Sequence, residues 1–110
     1  MQITRKEEKG VHVFSLDGRF DAHSAGDVEK ELNLAISKGA RNLLLDMDSV
    51  EYISSAGLRV LLAVAKKLKK EEGEIKLCCL KPYVKEVFDI AGFTQIFKIY
   101  NTAEEAIQGF

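Results

Sequence analysis

Residues 52–62, YISSAGLRVLL, place two serines between an apolar strand and an amphipathic helix. The strand is predicted over residues 42–47, where three consecutive leucines form the short apolar run that is typical of a strand buried on both faces. From Ala56 onward, leucines and alanines recur at three- and four-residue spacing, and lysines occupy the opposite side. The pattern therefore predicts a helix that begins at the serine pair, directly after the buried strand.

Ser54 and Ser55, at this helix start, can serve as caps or as a switch. The first N–H groups of a helix lack intrahelical partners, and the helix dipole concentrates about half a positive charge there. An oxygen, and still more a phosphate, is stabilised at that position. Serine is a preferred N-cap, so local chemistry alone favours a structural role for one of the pair. The other serine lies beside Gly57, where a missing side chain lets another molecule approach the backbone.

The sequence on either side alternates strands with helices. Residues 2–6 and 11–16 read as strands around a turn at residues 8–10, which predicts an antiparallel hairpin whose second strand ends at Asp17-Gly18. Periodicity, caps and breakers predict the remaining elements: a helix over 25–37 capped by Ser24, a strand over 75–80, a helix beginning at Pro82, a strand over 96–100, and a terminal helix with a Thr102/Glu105 capping box.

This alternation predicts the α/β class, with a mainly parallel mixed sheet of about five strands, an N-terminal hairpin and about four helices. A length of 110 residues, 46% hydrophobic and 30% charged, fits a single domain over residues 1–110. The formal charge of −1 gives no overall field that would recruit nucleic acid or an anionic membrane. No apolar stretch approaches the roughly twenty residues of a membrane span, and the first residues lack the core of a secretion signal. We therefore expect a cytoplasmic protein.

Two loops are the best candidates for a site, because ligands and partners of parallel sheets gather where strands lead into helices. They are residues 16–24, LDGRFDAHS, and residues 47–57, MDSVEYISSAG. If their strands are adjacent, Asp21 lies within side-chain reach of the serine pair, where it could orient a hydroxyl, bind a metal or repel a phosphate. A turn-forming or capping role for Asp21 is an equally good interpretation on local grounds.

Enzyme chemistry has little support in the motifs. The D-x-D of Asp46 and Asp48, in LLLDMDSV, is similar to that of haloacid-dehalogenase-type phosphatases, but the downstream lysine and acidic metal-binding cluster of those enzymes are missing. A serine hydrolase would need a GxSxG elbow and a third group to orient His23. Glycine-rich phosphate loops are also missing. We expect no catalytic residue and no cofactor.

Cys78 and Cys79 are adjacent within a predicted strand. Strand neighbours point to opposite faces, so we expect that the two thiols do not bridge. No CxxC motif and no Cys/His pair at zinc-ligand spacing accompanies them. The cysteines are therefore predicted to be reduced packing residues, and no metal site is expected.

Taken together, these features resemble STAS domains, and specifically single-domain anti-sigma factor antagonists. The resemblance covers nearly the whole chain. It is carried by LDGRFDAHSA at 16–25, by LLLDMDSVEYISSAGLRVLL at 43–62, and by VFDIAGFTQIFKIY at 87–100. The middle segment is the most specific, because family members place an aspartate, a phosphorylatable serine or threonine, a small residue and then Gly-Leu at the start of this helix.

Aligned on the Gly-Leu pair, Ser55 takes the phosphoacceptor position of the family. Ser54 stands where many phosphorylated members carry aspartate, so it is a secondary candidate acceptor. Asp21 matches the acidic residue that the family places beside the acceptor. We accordingly predict a partner-binding and switch surface formed by Asp21, Asp48, Ser54, Ser55, Ala56, Gly57 and Leu58.

The resemblance implies a partner-switching cycle in which the domain itself is not an enzyme. The unmodified protein would bind an anti-sigma factor that has serine kinase activity, and so release a sigma factor. Phosphorylation of Ser55 would end that binding, and a PP2C-type phosphatase would restore it. A phosphate adds about −1.5 to −2 charge, and burying it beside Asp21 in an interface costs several kcal/mol. The alternative is a STAS-like accessory or small-ligand module, as in lipid-transport complexes, in which the serines are only caps.

Overall fold

Five strands form one mixed sheet at the centre of the protein, in a computed structural model that describes residues 1–110. The first two strands pair antiparallel, and all other neighbours pair in parallel. This arrangement confirms the predicted α/β class, its mixed sheet and its N-terminal hairpin. In spatial as well as chain order the strands are β1 (Gln2–Glu8), β2 (Val11–Phe20), β3 (Asn42–Ile53), β4 (Glu74–Cys78) and β5 (Ile99–Tyr100).

Four helices and one short 3₁₀ turn connect or follow the parallel strands. The helices are α1 (Ala25–Ser37), α2 (Ser55–Lys70), α3 (Pro82–Ile90) and α4 (Ala103–Gln108). The first three contribute buried residues to one side of the sheet, and α4 contributes to the other. None of the helices has both the length and the apolar composition needed to cross a membrane.

The run of three leucines in β3 divides the interior into two apolar clusters. Leu43 and Leu45 belong to the large cluster that joins the sheet to the first three helices. Leu44 points the opposite way, into a smaller cluster beneath α4 that also contains Cys78. All three leucines are fully buried. The unbroken apolar run is therefore explained by helices on both faces of the sheet.

The strands β2 and β3 extend well beyond their predicted ends. The predictions stopped at residues 16 and 47, whereas pairing continues until Phe20 lies opposite Ile53. The residues that were expected to end β2 instead lie at register shifts, where Gly18 adopts a φ of +121° that few other residues tolerate. Residues 16–20 and 47–53, which make up most of the two predicted loops, therefore belong to β2 and β3. The hydrogen bonds between these strands outweigh the local preference of Asp-Gly for a turn.

The C-terminal strands are shorter than predicted. The strand expected over 75–80 ends before Cys79, which has a φ of +68° and cannot continue a regular ladder. The strand expected over 96–100 is confined to Ile99–Tyr100, because the preceding chain forms the 3₁₀ turn Phe93–Gln95.

The break after β4 also changes the geometry of the cysteine pair. Cys79 lies outside the strand, so its side chain does not follow the alternation of the pleat. The Sγ atoms of Cys78 and Cys79 lie 2.9 Å apart, and both cysteines are free thiols. The expectation that the two side chains point to opposite faces is therefore wrong.

Gly57 allows the start of α2 to pack directly on the ends of β2 and β3. A Cβ added at this position would lie 2.9 Å from the carbonyl oxygen of Phe20 and 2.9 Å from Cγ1 of Ile53. Gly57 itself is buried. The space beside this glycine is thus occupied by the protein's own sheet and is not open to another molecule.

Gly57→Ala is expected to lower the free energy of unfolding by about 1–3 kcal/mol, because the backbone oxygen of Phe20 cannot move aside for the new methyl group. Gly26→Ala in α1 is the matched control, since its Cβ would meet no atom within 4 Å. The control should raise stability by about 0.4–1 kcal/mol. Urea denaturation of both variants provides the measurement, and equal effects of the two substitutions would contradict this packing.

Candidate functional site at the start of α2

The end of β3 passes into α2 with only one intervening residue. Ser54 occupies the N-cap position with an extended backbone, at φ −103° and ψ 176°, and Ser55 is the first helical residue. The N–H of Ser54 donates to the carbonyl of Phe20 at 3.0 Å, and its own carbonyl accepts from the N–H of Leu58 at 3.0 Å. Ser54 therefore anchors the helix start to the end of β2.

The two serine hydroxyls have different surroundings. The Oγ atom of Ser54 is buried, makes no capping bond and has no hydrogen-bond partner. Ser55 is exposed. The first turn of α2 also carries no acidic side chain that would already neutralise its positive end. The hydroxyl that an enzyme or a partner can reach at this helix start is therefore that of Ser55.

Asp21 lies at the same edge of the sheet, directly after the last residue of β2. Its Oδ1 accepts from the backbone N–H groups of His23 at 3.0 Å and Ser24 at 3.3 Å, and its Oδ2 lies 3.5 Å from Nε of Arg19. Partial burial raises the pKa of Asp21, but the two hydrogen bonds and the neighbouring His23 and Arg19 outweigh it. The net pKa is below its ordinary value, so Asp21 is a carboxylate at neutral pH.

Asp21 therefore performs the turn-forming role that was one of its two interpretations. The strands β2 and β3 are adjacent, as the other interpretation required, and the bond from Ser54 to Phe20 brings the two segments together. No hydrogen bond joins the Asp21 carboxylate to Ser54 or Ser55. Asp21 thus contributes a fixed negative charge at the adjoining end of β2 and does not orient the Ser55 hydroxyl.

Asp48 is not brought to this site. It lies inside β3, seven residues before Ser55, which is on the order of 20 Å along a strand. Its backbone N–H donates to the carboxylate of Asp46 at 3.0 Å, and its side chain lines a different cavity together with Cys79. Asp48 is distant from Ser55 because β3 is longer than predicted and keeps residues 48–53 in an extended conformation.

Ala56, Gly57 and Leu58 were predicted to be part of the partner-binding surface, but they pack toward the interior of the protein. Gly57 and Leu58 are buried, and Ala56 packs partly buried against the main core. The N–H of Leu58 is already used in the first helical bond. These three residues position Ser55, and their side chains offer little surface to a partner.

Arg19 and Tyr52 belong to the site although the sequence did not single them out. They are paired residues of β2 and β3, and the guanidinium carbon of Arg19 lies 4.3 Å from the centre of the Tyr52 ring. Tyr52 is 40% exposed, and Arg19 also holds Asp21. Continuing the parallel register past residue 16 would have found them. We call the group formed by the exposed Arg19, Tyr52 and Ser55 and the partly buried Asp21 the α2-start surface.

Ser54→Ala is expected to leave the free energy of unfolding unchanged or to raise it, because a buried hydroxyl without a partner costs about 1–3 kcal/mol. Ser24→Ala is the matched comparison and should lower stability by about 1 kcal/mol. The Ser24 hydroxyl donates to the carbonyl of Arg19 at 2.7 Å and accepts from the N–H of Asp21 at 3.0 Å, instead of capping α1 as predicted. Chemical denaturation measures the free energy of unfolding of both variants. A similar loss of stability in the two would mean that the Ser54 hydroxyl has a hydrogen-bond partner after all.

The sequence pattern of the STAS domain matches residues 2–106. A relative from Bordetella bronchiseptica, provisionally named anti-sigma factor antagonist BtrV, is 44% identical over 110 residues, which are 100% of this chain and 95% of the relative.

Solved structures are similar over the same length. An anti-sigma factor antagonist from Mycobacterium paratuberculosis superposes with a TM-score of 0.89 at 25% identity, covering 98% of this chain and 92% of the other. The phosphorylated form of the Bacillus cell fate determinant SpoIIAA shares the fold, with a TM-score of 0.77 at 22% identity and 98% of both chains covered. This chain therefore belongs to the STAS domain family.

Proposed function

We propose that the protein is an anti-sigma factor antagonist whose binding to its partner is controlled by phosphorylation of Ser55. The names of its relatives support the first part of this proposal. The second part rests on one observation, namely that Ser55 is an exposed hydroxyl on the first residue of a 16-residue helix. In this role the protein occupies the anti-sigma factor and thereby frees the sigma factor.

Accessibility favours Ser55 over Ser54 as the acceptor. A kinase must bring the γ-phosphate of ATP in line with the attacking hydroxyl, which requires an oxygen at the surface. The Ser54 Oγ is enclosed, and its backbone is fixed on both sides by hydrogen bonds to β2 and α2. Phosphorylation of Ser54 would therefore require the helix start to open, whereas Ser55 can react in place.

A phosphate on Ser55 is compatible with the folded domain. The N-terminal N–H groups and dipole of α2 stabilise an anion there, and no acidic residue of the first turn opposes it. The helix start is also held to Phe20 by the backbone bond from the N–H of Ser54, which does not involve the Ser55 hydroxyl. The modification thus changes the charge of the surface more than its shape.

Charge then explains how binding is lost. The phosphate adds about −1.5 to −2 charge to a surface on which the charges of Arg19 and the ionised Asp21 otherwise offset each other, so the α2-start surface becomes acidic. A partner that complements the unmodified surface would have to accommodate this added negative charge at the interface, at a cost of several kcal/mol. A cost of about 3 kcal/mol corresponds to more than a hundredfold weaker binding.

The partner in this cycle is an anti-sigma factor that is also a serine kinase, and a PP2C-type phosphatase removes the phosphate. The domain acts as substrate for both and contributes no catalytic residue. Asp46 of the D-x-D motif accepts a hydrogen bond from the backbone N–H of Asp48 within the extended strand, which is a local structural role that requires no catalysis.

Ser55→Asp is expected to weaken binding to the anti-sigma factor by at least about tenfold, because it places a permanent charge on the α2-start surface. Ser55→Asn is the matched neutral control of nearly the same size, and it should bind like the unmodified protein, as should Ser55→Ala. Isothermal titration calorimetry with the purified partner measures all three. Equal affinities of the Asp and Asn variants would refute the switch and favour an accessory or small-ligand module.

Incubation with the anti-sigma kinase and ATP should place a single phosphate on Ser55, as mapped by mass spectrometry of proteolytic fragments. Ser54→Ala should still be phosphorylated at Ser55, whereas Ser55→Ala should remain unmodified. Labelling that disappears in Ser54→Ala and persists in Ser55→Ala would contradict the accessibility argument.

A further inference from the structure

A second group of chemically active side chains lies on the sheet face covered by α4. Asp46 of β3 pairs with Cys78 of β4, and Cys79 follows immediately. One carboxylate oxygen and the two Sγ atoms all lie within 4.8 Å of one another. Neither cysteine has a part in the proposed function, and the α2-start surface is several residues further along β3.

The backbone holds these three ligand atoms together. The parallel register of β3 and β4 sets Asp46 opposite Cys78, and the positive φ of Cys79 turns its thiol back toward them. The N–H of Cys79 donates to the carbonyl of Tyr100 at 3.0 Å, which fixes the turn. The Asp46 carboxylate is oriented by the N–H of Asp48 at 3.0 Å, the kind of supporting bond that metal ligands commonly have.

We propose that Asp46, Cys78 and Cys79 bind one divalent thiophilic cation of the Zn²⁺ class. Two thiolates and a carboxylate are ligands that Zn²⁺ accepts, and three protein ligands leave one tetrahedral position for a water or a further ligand. Zn–S bonds of about 2.3 Å separate two tetrahedral sulfurs by about 3.8 Å. The sulfurs, now 2.9 Å apart, need to separate by about 1 Å, which the Cys79 side chain can supply because it lies outside the strand.

The cation has a route to this site. A cavity of about 530 Å³ adjoins it, lined among others by Asp46, Cys79, Asp48, Lys81 and Glu104. Its carboxylates outnumber its single lysine, so the opening attracts cations. Asp46 and Cys79 line the cavity whereas Cys78 is fully buried, so a cation would reach the three ligands from the side of Asp46 and Cys79.

Binding exchanges protons for the cation. Both cysteines are free thiols in the cation-free protein. On binding, each sulfur forms a bond to the cation and releases its proton to solvent, and the two positive charges of the cation offset the two thiolates. No oxidant or reductant takes part.

The reduced 110-residue chain, with both thiols verified as free, is titrated with Cd²⁺ as a spectroscopic probe. The expected result is a thiolate-to-cadmium charge-transfer band in the ultraviolet that saturates at one cation per chain and is displaced by Zn²⁺. Cys79→Ser should lose most of this band. Asp46→Asn should keep it with an apparent affinity that is weaker by about tenfold or more.

Glu104→Gln is the matched control, because it removes the same charge from the same cavity but no ligand atom. It should bind Cd²⁺ nearly as the natural chain does. The absence of a saturable band, a band that persists in Cys79→Ser, or an equal loss in Glu104→Gln would overturn the proposal. Circular dichroism of the metal-free variants verifies that they are folded. These outcomes are independent of the Ser55 experiments, which need no metal.

Discussion

The parallel pairing of β2 with β3 is the constraint on which the rest of the structure depends. It ends with Phe20 opposite Ile53 and with the backbone bond from Ser54 to Phe20. Because the same carbonyl also lies 2.9 Å from where a Cβ of Gly57 would be, the helix can approach the sheet only with a glycine there. One short stretch of pairing thus fixes where α2 begins and how closely it packs.

That constraint also separates the two serines. Ser54 belongs to the junction, with its backbone bonded on both sides and its hydroxyl enclosed, whereas Ser55 projects from the first turn into the exposed surface. A rigid junction beside an accessible hydroxyl suits a modification that alters charge without unfolding the domain. Asp21, at the adjoining end of β2, is ionised and held by Arg19, so the charges of this surface are fixed before the proposed modification of Ser55.

The two faces of the sheet can consequently serve different purposes. The face covered by the first three helices contains the main core and ends at the start of α2. The other face is covered only by the short α4, and beside it the pleat is interrupted at Cys79. A packed core has no room for a ligand, whereas this interrupted face leaves a cavity that is lined by the thiol of Cys79 and by several carboxylates. None of the residues that line this cavity belongs to the α2-start surface.

The sequence by itself determined the class, the order of elements, the hairpin and the placement of Ser55 at a helix start, because these follow from periodicity, caps and breakers within short segments. Only the tertiary structure decided the length of β2 and β3, the pairing of Arg19 with Tyr52, the separation of Asp48 from Ser55, and the proximity of Asp46 to the cysteines. Each of these depends on which residues of distant segments lie opposite each other. The cross-strand register and the positive φ of Cys79 determine which distant residues lie together. Local sequence preferences specify neither of them.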